Sequence, residues 1–285
     1  MYRFQKLYMD LVDSDGNVCI AYAASLHALG FVRHFGGIEL YAPNGDREIH
    51  RATAIRWSAE EGMIEIRGAF ADGWLLVRHR LTEAGWDPTG DPVCRGLSWR
   101  VLGARAAAVV ELTRNGSARH FSGIGYSDWV DVRRPARLLG LAKVEWGRFH
   151  LPDGTFVYSR IANEHGKSWQ RALSIRSGNR IETTSVTLEG DAASLACRSE
   201  RTELVLSPLR VLHDGPVLDA ERLPGTFERR MSELMTGPAA ERRVVGRARR
   251  SASTGASALG WGIAESVRFG TQAATSASGR DDLDR

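Results

Sequence analysis

The sequence predicts a mostly β protein whose sheets close around an apolar interior. Three observations carry this. Short apolar or alternating runs recur at intervals of roughly 8–12 residues, the spacing of a sandwich or barrel and not of βαβ units. The 30 glycines fall between those runs, where turns belong. Helical periodicity is scarce.

Taken in order, residues 7–13 are followed by the turn Ser14-Asp15-Gly16 and a second run at 18–24, and residues 38–42 lead into Pro43-Asn44-Gly45-Asp46. Residues 63–70 alternate apolar and charged side chains, turn at Ala71-Asp72-Gly73 and continue as 74–81, a hairpin by composition and spacing. Further strands are expected at 97–102, 107–113, 143–149, 156–161, 172–175, 181–188, 195–197 and 202–206. The best helix candidate is 226–235, where Phe227, Met231 and Leu234 or Met235 recur at helical spacing, with a short strand as the alternative. Residues 271–285 are small and polar and read as a disordered tail. The charge and turn pattern is weakest at 115–120, which divides the chain into a first β domain at 1–118 and a second at 119–270.

Composition narrows the function. The chain has 285 residues, 43% hydrophobic and 25% charged, with a net charge of +4. Residues 241–250, Glu-Arg-Arg-Val-Val-Gly-Arg-Ala-Arg-Arg, carry five arginines and one glutamate, so the rest is near neutral and shows no nucleic-acid footprint. Arg242, Arg243, Arg247, Arg249 and Arg250 are therefore read as a solvated strand edge, or as a weak contact with a membrane surface. Cys19, Cys94 and Cys197 are odd in number and far apart, and the histidines lack paired ligand spacing, so neither a disulfide framework nor a metal site is expected. No nucleotide loop and no hydrolase or zincin motif occurs, and no cofactor is expected. The N-terminus has no uncharged run of signal-peptide length, and no stretch nears the ~20 apolar residues of a transmembrane helix, so a cytoplasmic location is expected.

The most unusual segment is 120–129, His-Phe-Ser-Gly-Ile-Gly-Tyr-Ser-Asp-Trp. Gly123 and Gly125 let a backbone bend or a ligand approach closely. Tyr126 and Asp128 are two apart, so on a strand they share a face. Facing an apolar cavity, Asp128 keeps its proton to higher pH, and a neutral carboxylic acid beside a phenol can protonate a substrate. The alternative is a glycine-kinked turn in which a buried Tyr126 bonds the carboxylate. In Glu145-Trp146-Gly147-Arg148-Phe149, Trp146 and Arg148 share a strand face. Arg148 can pair with Asp128, which would lower the acid's pKa, or stack on an aromatic ring. The eight tryptophans, Trp129 and Trp146 among them, are enough to line a ligand cavity or simply to fill a core.

Four segments occur in a telling order: Tyr8-Met-Asp-Leu-Val-Asp-x-Asp-Gly16, Gly123-x-Gly-Tyr-x-Asp128, Trp146-Gly-Arg148 and Gly260-Trp-Gly-Ile-Ala-Glu265. Together they resemble the carotenoid 1,2-hydratase (hydroxyneurosporene synthase) family and its AttH-like relatives. The resemblance implies a calycin architecture, two lipocalin-like β-barrel or sandwich domains packed together, with an apolar ligand between or inside them. It also implies protonation of a carbon–carbon double bond by Asp128, with Tyr126 beside it and Trp146 along the ligand. Where the family continues with His-Asn after the acid, this chain has Trp129-Val-Asp131. The reading is thus an enzyme of hydratase, cyclase or isomerase type acting on an isoprenoid- or polyketide-like molecule. Its catalytic residues would be Asp128 and Tyr126, with Trp129, Trp146, Arg148, Gly123 and Gly125 against the substrate. The alternative is a non-catalytic carrier or sensor of a hydrophobic ligand, in which Asp128 and Arg148 form a structural pair.

Overall fold

The structure is a computed structural model that describes residues 2–28, 30–83, 85–87, 96–135, 138–176, 179–183, 187–191, 194–199, 202–217, 239–252 and 257–270. The expected helix at 226–235, the expected tail at 271–285 and Cys94 lie outside the described residues.

The described elements are all strands. The first nine are β1 (Arg3–Asp13), β2 (Val18–Ala28), β3 (Phe31–Tyr41), β4 (Arg47–Arg51), β5 (Ala54–Glu60), β6 (Met63–Phe70), β7 (Gly73–Glu83), β8 (Leu97–Arg114) and β9 (Ser117–Val132). The next nine are β10 (Leu141–Leu151), β11 (Gly154–Asn163), β12 (Ser168–Arg176), β13 (Asn179–Thr183), β14 (Thr187–Asp191), β15 (Ser194–Ser199), β16 (Thr202–Pro216), β17 (Ala239–Ala252) and β18 (Ser257–Phe269).

They form two nine-stranded antiparallel sheets, ordered β4-β3-β2-β1-β9-β8-β7-β6-β5 and β13-β12-β11-β10-β18-β17-β16-β15-β14. The second order is the first shifted by nine, so both halves use one topology in which the last strand returns to pair with the first. The change of sheet falls between Val132 and Leu141 and not at 115–120. Asn115 and Gly116, at φ 49° and 75°, form a left-handed two-residue hairpin turn between β8 and β9. A turn of that chemistry ends a strand without ending a sheet. Only the distant pairing of β9 with β1, Leu11 opposite Gly125 and Tyr8 opposite Asp128, shows which sheet the strand closes.

Strand alternation builds three cores. Leu7, Met9 and Leu11 of β1 meet Ile64, Ile66, Val77 and Val110, so the first sheet curls back on itself. Phe149, Tyr158, Leu206 and Val244 fill the corresponding hollow of the second. The opposite faces pack on each other: Tyr8, Val12, Ile20, Trp99 and Tyr126 from the first sheet meet Val157, Leu173, Val245 and Ile263 from the second. This all-β, calycin-like arrangement agrees with the expected fold class.

Candidate active site

The four quoted sequence segments converge where the sheets meet. On β1 the side chains of Lys6, Tyr8 and Asp10 face the second sheet, because Leu7, Met9 and Leu11 face the curl. Arg148 on β10 is 1% exposed. Its Nη1 donates to Glu265 Oε1 at 2.5 Å, and its Nη2 donates to the Tyr8 hydroxyl at 2.6 Å and to the Asp10 carboxylate. Tyr8 donates in turn to Glu265 Oε1 at 2.9 Å. Arg243 on β17 donates from Nε to Glu265 Oε2 at 2.9 Å, from Nη2 to Glu241 at 2.7 Å and from Nη1 to Glu39 at 3.5 Å. Burial pushes the Glu265 carboxyl up, but the guanidinium groups of Arg243 and Arg148 outweigh it and hold it below its ordinary value.

This belt spans β1 and β3 of one sheet and β10, β17 and β18 of the other. Removing one member leaves buried charge uncompensated, which typically costs about 3–5 kcal/mol. Arg148→Met is therefore expected to lower unfolding stability by about that amount, read from urea midpoints. A loss below about 1 kcal/mol, the worth of an exposed pair, would show that the belt does not hold the sheets together.

Beside the belt lies a cavity of about 270 Å³, walled by apolar side chains such as Phe4, Ile20, Val130, Val144 and Val267. The charged residues that line it are Lys6, Glu39, Asp128, Glu241 and Arg243. The indoles of Trp99 and Trp146 also line it, edge to face with ring centroids 6.3 Å apart.

Asp128, on β9, is 3% exposed and lines the cavity. Burial lifts its pKa from 3.8 to about 7; the Glu265 charge adds to the rise, while Lys6 and hydrogen bonds from Trp99 and Tyr126 oppose it. Tyr126 is fully buried behind the acid. Its hydroxyl reaches the same carboxylate without meeting full hydrogen-bond geometry, and it has no other partner among the described residues. Burial, then the Asp128 charge, keeps that phenol protonated well above its ordinary pKa.

Of the residues singled out from the sequence, Asp128 and Trp146 line the cavity. Tyr126 adjoins Asp128, and Arg148 packs against both tyrosines, its guanidinium 5.1 Å from the Tyr8 ring centroid and 5.0 Å from that of Tyr126. Arg148 bonds Glu265, Asp10 and Tyr8, and no bond to Asp128 is among those it makes. Trp129 is one residue out of phase with the acid, so it faces the curl of the first sheet, 4.7 Å from Trp57. Gly123 and Gly125 do not line the cavity. A Cβ there would stand 2.2 Å from Val12 O and 2.6 Å from Asp10 O, so these glycines let β9 lie close against β1.

The arginine run is corrected in part. Arg243 is buried in the belt and does not reach a surface, and Arg250 is largely buried on the partly exposed Asp153; Arg242 is half-buried, and Arg247 and Arg249 are exposed. Lys6, Glu39 and Glu241 at the cavity were not expected from the sequence, and Trp99 only as one of the eight tryptophans. The available signal was a charge standing inside an alternating apolar run, as in Gly-Ile-Glu39-Leu-Tyr.

No family model and no curated protein sequence matches this chain. Solved structures do. CghA has a TM-score of 0.69 at 12% identity, covering 94% of this chain and 88% of CghA, and CghA solved with Sch210972 gives 0.67 at 12% identity, over 94% and 89%. A putative AttH from Nitrosomonas europaea gives 0.59 at 14% identity, over 92% of each chain. Kievitone hydratase from Nectria haematococca gives 0.59 at 9% identity, over 94% of this chain and 89% of that one. The chain thus has the all-β, calycin-like fold of the AttH-like and hydratase proteins that its sequence segments resemble.

Proposed function

We propose that this protein is an enzyme that protonates a carbon–carbon double bond of an apolar isoprenoid- or polyketide-like molecule, with Asp128 as the acid. The observation that carries this reading is a buried carboxyl, its pKa raised to about 7, opening onto an apolar cavity. A donor with a pKa near the working pH is protonated often enough to act and acidic enough to give up its proton. The Asp128 O–H proton passes to one alkene carbon, leaving a carbocation and the Asp128 carboxylate. Water then adds to the cation and loses a proton to that carboxylate, or a neighbouring C–H loses one, so the acid is regenerated either way. Trp99 and Trp146 offer aromatic faces or edges at the cavity wall, and an indole face stabilises a passing cation. Tyr126 tunes the acid from behind.

The same fold in a protein named kievitone hydratase, and in CghA solved with Sch210972, supports a small-molecule site. The carrier reading has the cavity in its favour, but the Asp128–Arg148 pair it calls for is replaced by bonds from Arg148 to Glu265, Asp10 and Tyr8. The deciding experiment extracts any co-purifying apolar compound and returns it to the protein in deuterium oxide. Deuterium appearing on carbon with the native chain and not with Asp128→Asn supports the enzyme. Equal incorporation by both would remove Asp128 from the chemistry.

A further inference from the structure

The cavity is lined by two basic side chains, Lys6 and Arg243, and they are in different states. All three donor nitrogens of Arg243 are engaged, by Glu265, Glu241 and Glu39. Lys6 is half-buried, open to the cavity, and makes no hydrogen bond or ion pair among the described residues. Its Nζ lies over the rings of Tyr8 and Tyr22, 5.3 and 5.7 Å from their centroids. An ammonium held over aromatic faces at the wall of an apolar chamber is costly unless something pairs with it.

We infer that Lys6 anchors the acidic head of the cavity's ligand, so that the preferred small molecule is an apolar skeleton ending in a carboxylate or an acidic enol. The inference rests on the cavity being the ligand site of the proposed function, and it names the class of molecule bound there.

Position supports it. Lys6 lies opposite Val130 and Asp128 opposite Tyr8 in the β1–β9 ladder, so Lys6 and Asp128 are diagonal neighbours on one face. A ligand oxygen on Lys6 therefore sets its carbon skeleton beside the acid. The charges agree as well. The groups acting on Lys6 are Glu241, Arg243, Glu265 and Asp128; burial lowers its pKa, and the three carboxylates oppose that. Glu241 and Glu265 are already bonded to Arg243, and Glu265 to Arg148 as well. Lys6 and Asp128 are left as the two cavity groups whose charge a ligand can change. An anion seated on Lys6 makes ionisation of Asp128 less favourable, so binding of the acidic head and protonation of Asp128 reinforce each other. The anchor thus loads the proton as well as placing the substrate.

The test uses two isoprenoids with one skeleton, retinoic acid and retinol, titrated into the full chain at pH 6 and followed by quenching of tryptophan fluorescence. The acid is expected to bind at least about tenfold more tightly than the alcohol, the worth of one charge-assisted contact. Lys6→Gln is expected to reduce that preference to less than about twofold, and its urea midpoint is measured beside that of the native chain to show that the variant is folded. Lys6→Arg, which keeps the charge, is expected to retain it, and it carries the test if the glutamine variant does not fold. Equal binding of acid and alcohol by the native chain, or a preference that survives in Lys6→Gln, would overturn the anchor and leave the apolar site standing. Binding of neither compound would overturn both.

Discussion

Asp128→Asn is expected to lower turnover by about 10²- to 10⁴-fold, the range that one positioned general acid supplies, with ligand affinity changed by no more than a few-fold. The asparagine has nearly the same volume and keeps an oxygen for the Trp99 and Tyr126 contacts, so cavity shape is preserved. It has no proton acidic enough to give to carbon. A fall in kcat with KM nearly constant is the signature of an interaction made in the transition state alone. A variant with native kcat would mean that the proton comes from elsewhere. The pH profile adds a second reading: activity should decline as pH rises through about 7, because the acid then loses its proton before the substrate arrives.

Acid should destabilise this protein through two histidines that take no part in the proposed chemistry. His79 on β7 is fully buried and His150 on β10 is nearly so, and none of their four ring nitrogens has a hydrogen-bond partner among the described residues. Burial lowers both from 6.5 to about 3; for His150 the charges of Arg105 and Arg148, and His79 itself, lower it further. Both are therefore neutral in the folded chain at pH values where the unfolded chain protonates them. Unfolding then takes up protons, and stability falls as pH drops from about 6.5 towards 3.

Asp128 has the opposite sign. Its folded pKa of about 7 lies above the unfolded value, so unfolding between pH 4 and 7 releases its proton, and its contribution is lost as pH rises. Between pH 6 and 5, two histidines against one aspartate give a net slope of about 1.4 kcal/mol per pH unit, and Asp128→Asn should raise it to about 2.7. Urea midpoints for the two chains at pH 5, 5.5 and 6 measure both slopes. Equal slopes would mean that Asp128 titrates at an ordinary carboxylate pH. A flat profile in Asp128→Asn, where only the histidines are left to set the slope, would mean that they are solvated.

The sequence made much of the fold legible because β strands here are punctuated strongly. Ser14-Asp15-Gly16, Ala71-Asp72-Gly73 and Asn115-Gly116 each mark a turn between paired neighbours. Sheet membership was not legible, since pairing β9 with β1 or β18 with β10 depends on contacts more than 100 residues apart, which no local pattern encodes. The runs expected at 97–102 and 107–113 are one strand, β8, because its irregularity near Gly103 bends the ladder without breaking it.

The site was legible where period-2 logic applied. Tyr126 with Asp128, and Trp146 with Arg148, share faces as expected. It was not legible where a residue's role depends on the second sheet. Arg243 read as part of a charged edge, because only its closeness to Glu265 and Glu39 shows that it is buried. Lys6 sits at the end of an apolar run, and nothing local shows that its neighbour is a cavity.

The chemistry proposed for the cavity requires that Asp128 keep its proton to near-neutral pH inside an apolar chamber. Its most direct test is a ¹³C NMR titration of the aspartate side-chain carboxyls in the native chain and in Asp128→Asn. The structure predicts one carboxyl titrating near pH 7 in the native chain and missing from the variant. A native spectrum in which every aspartate titrates below pH 5 would contradict it.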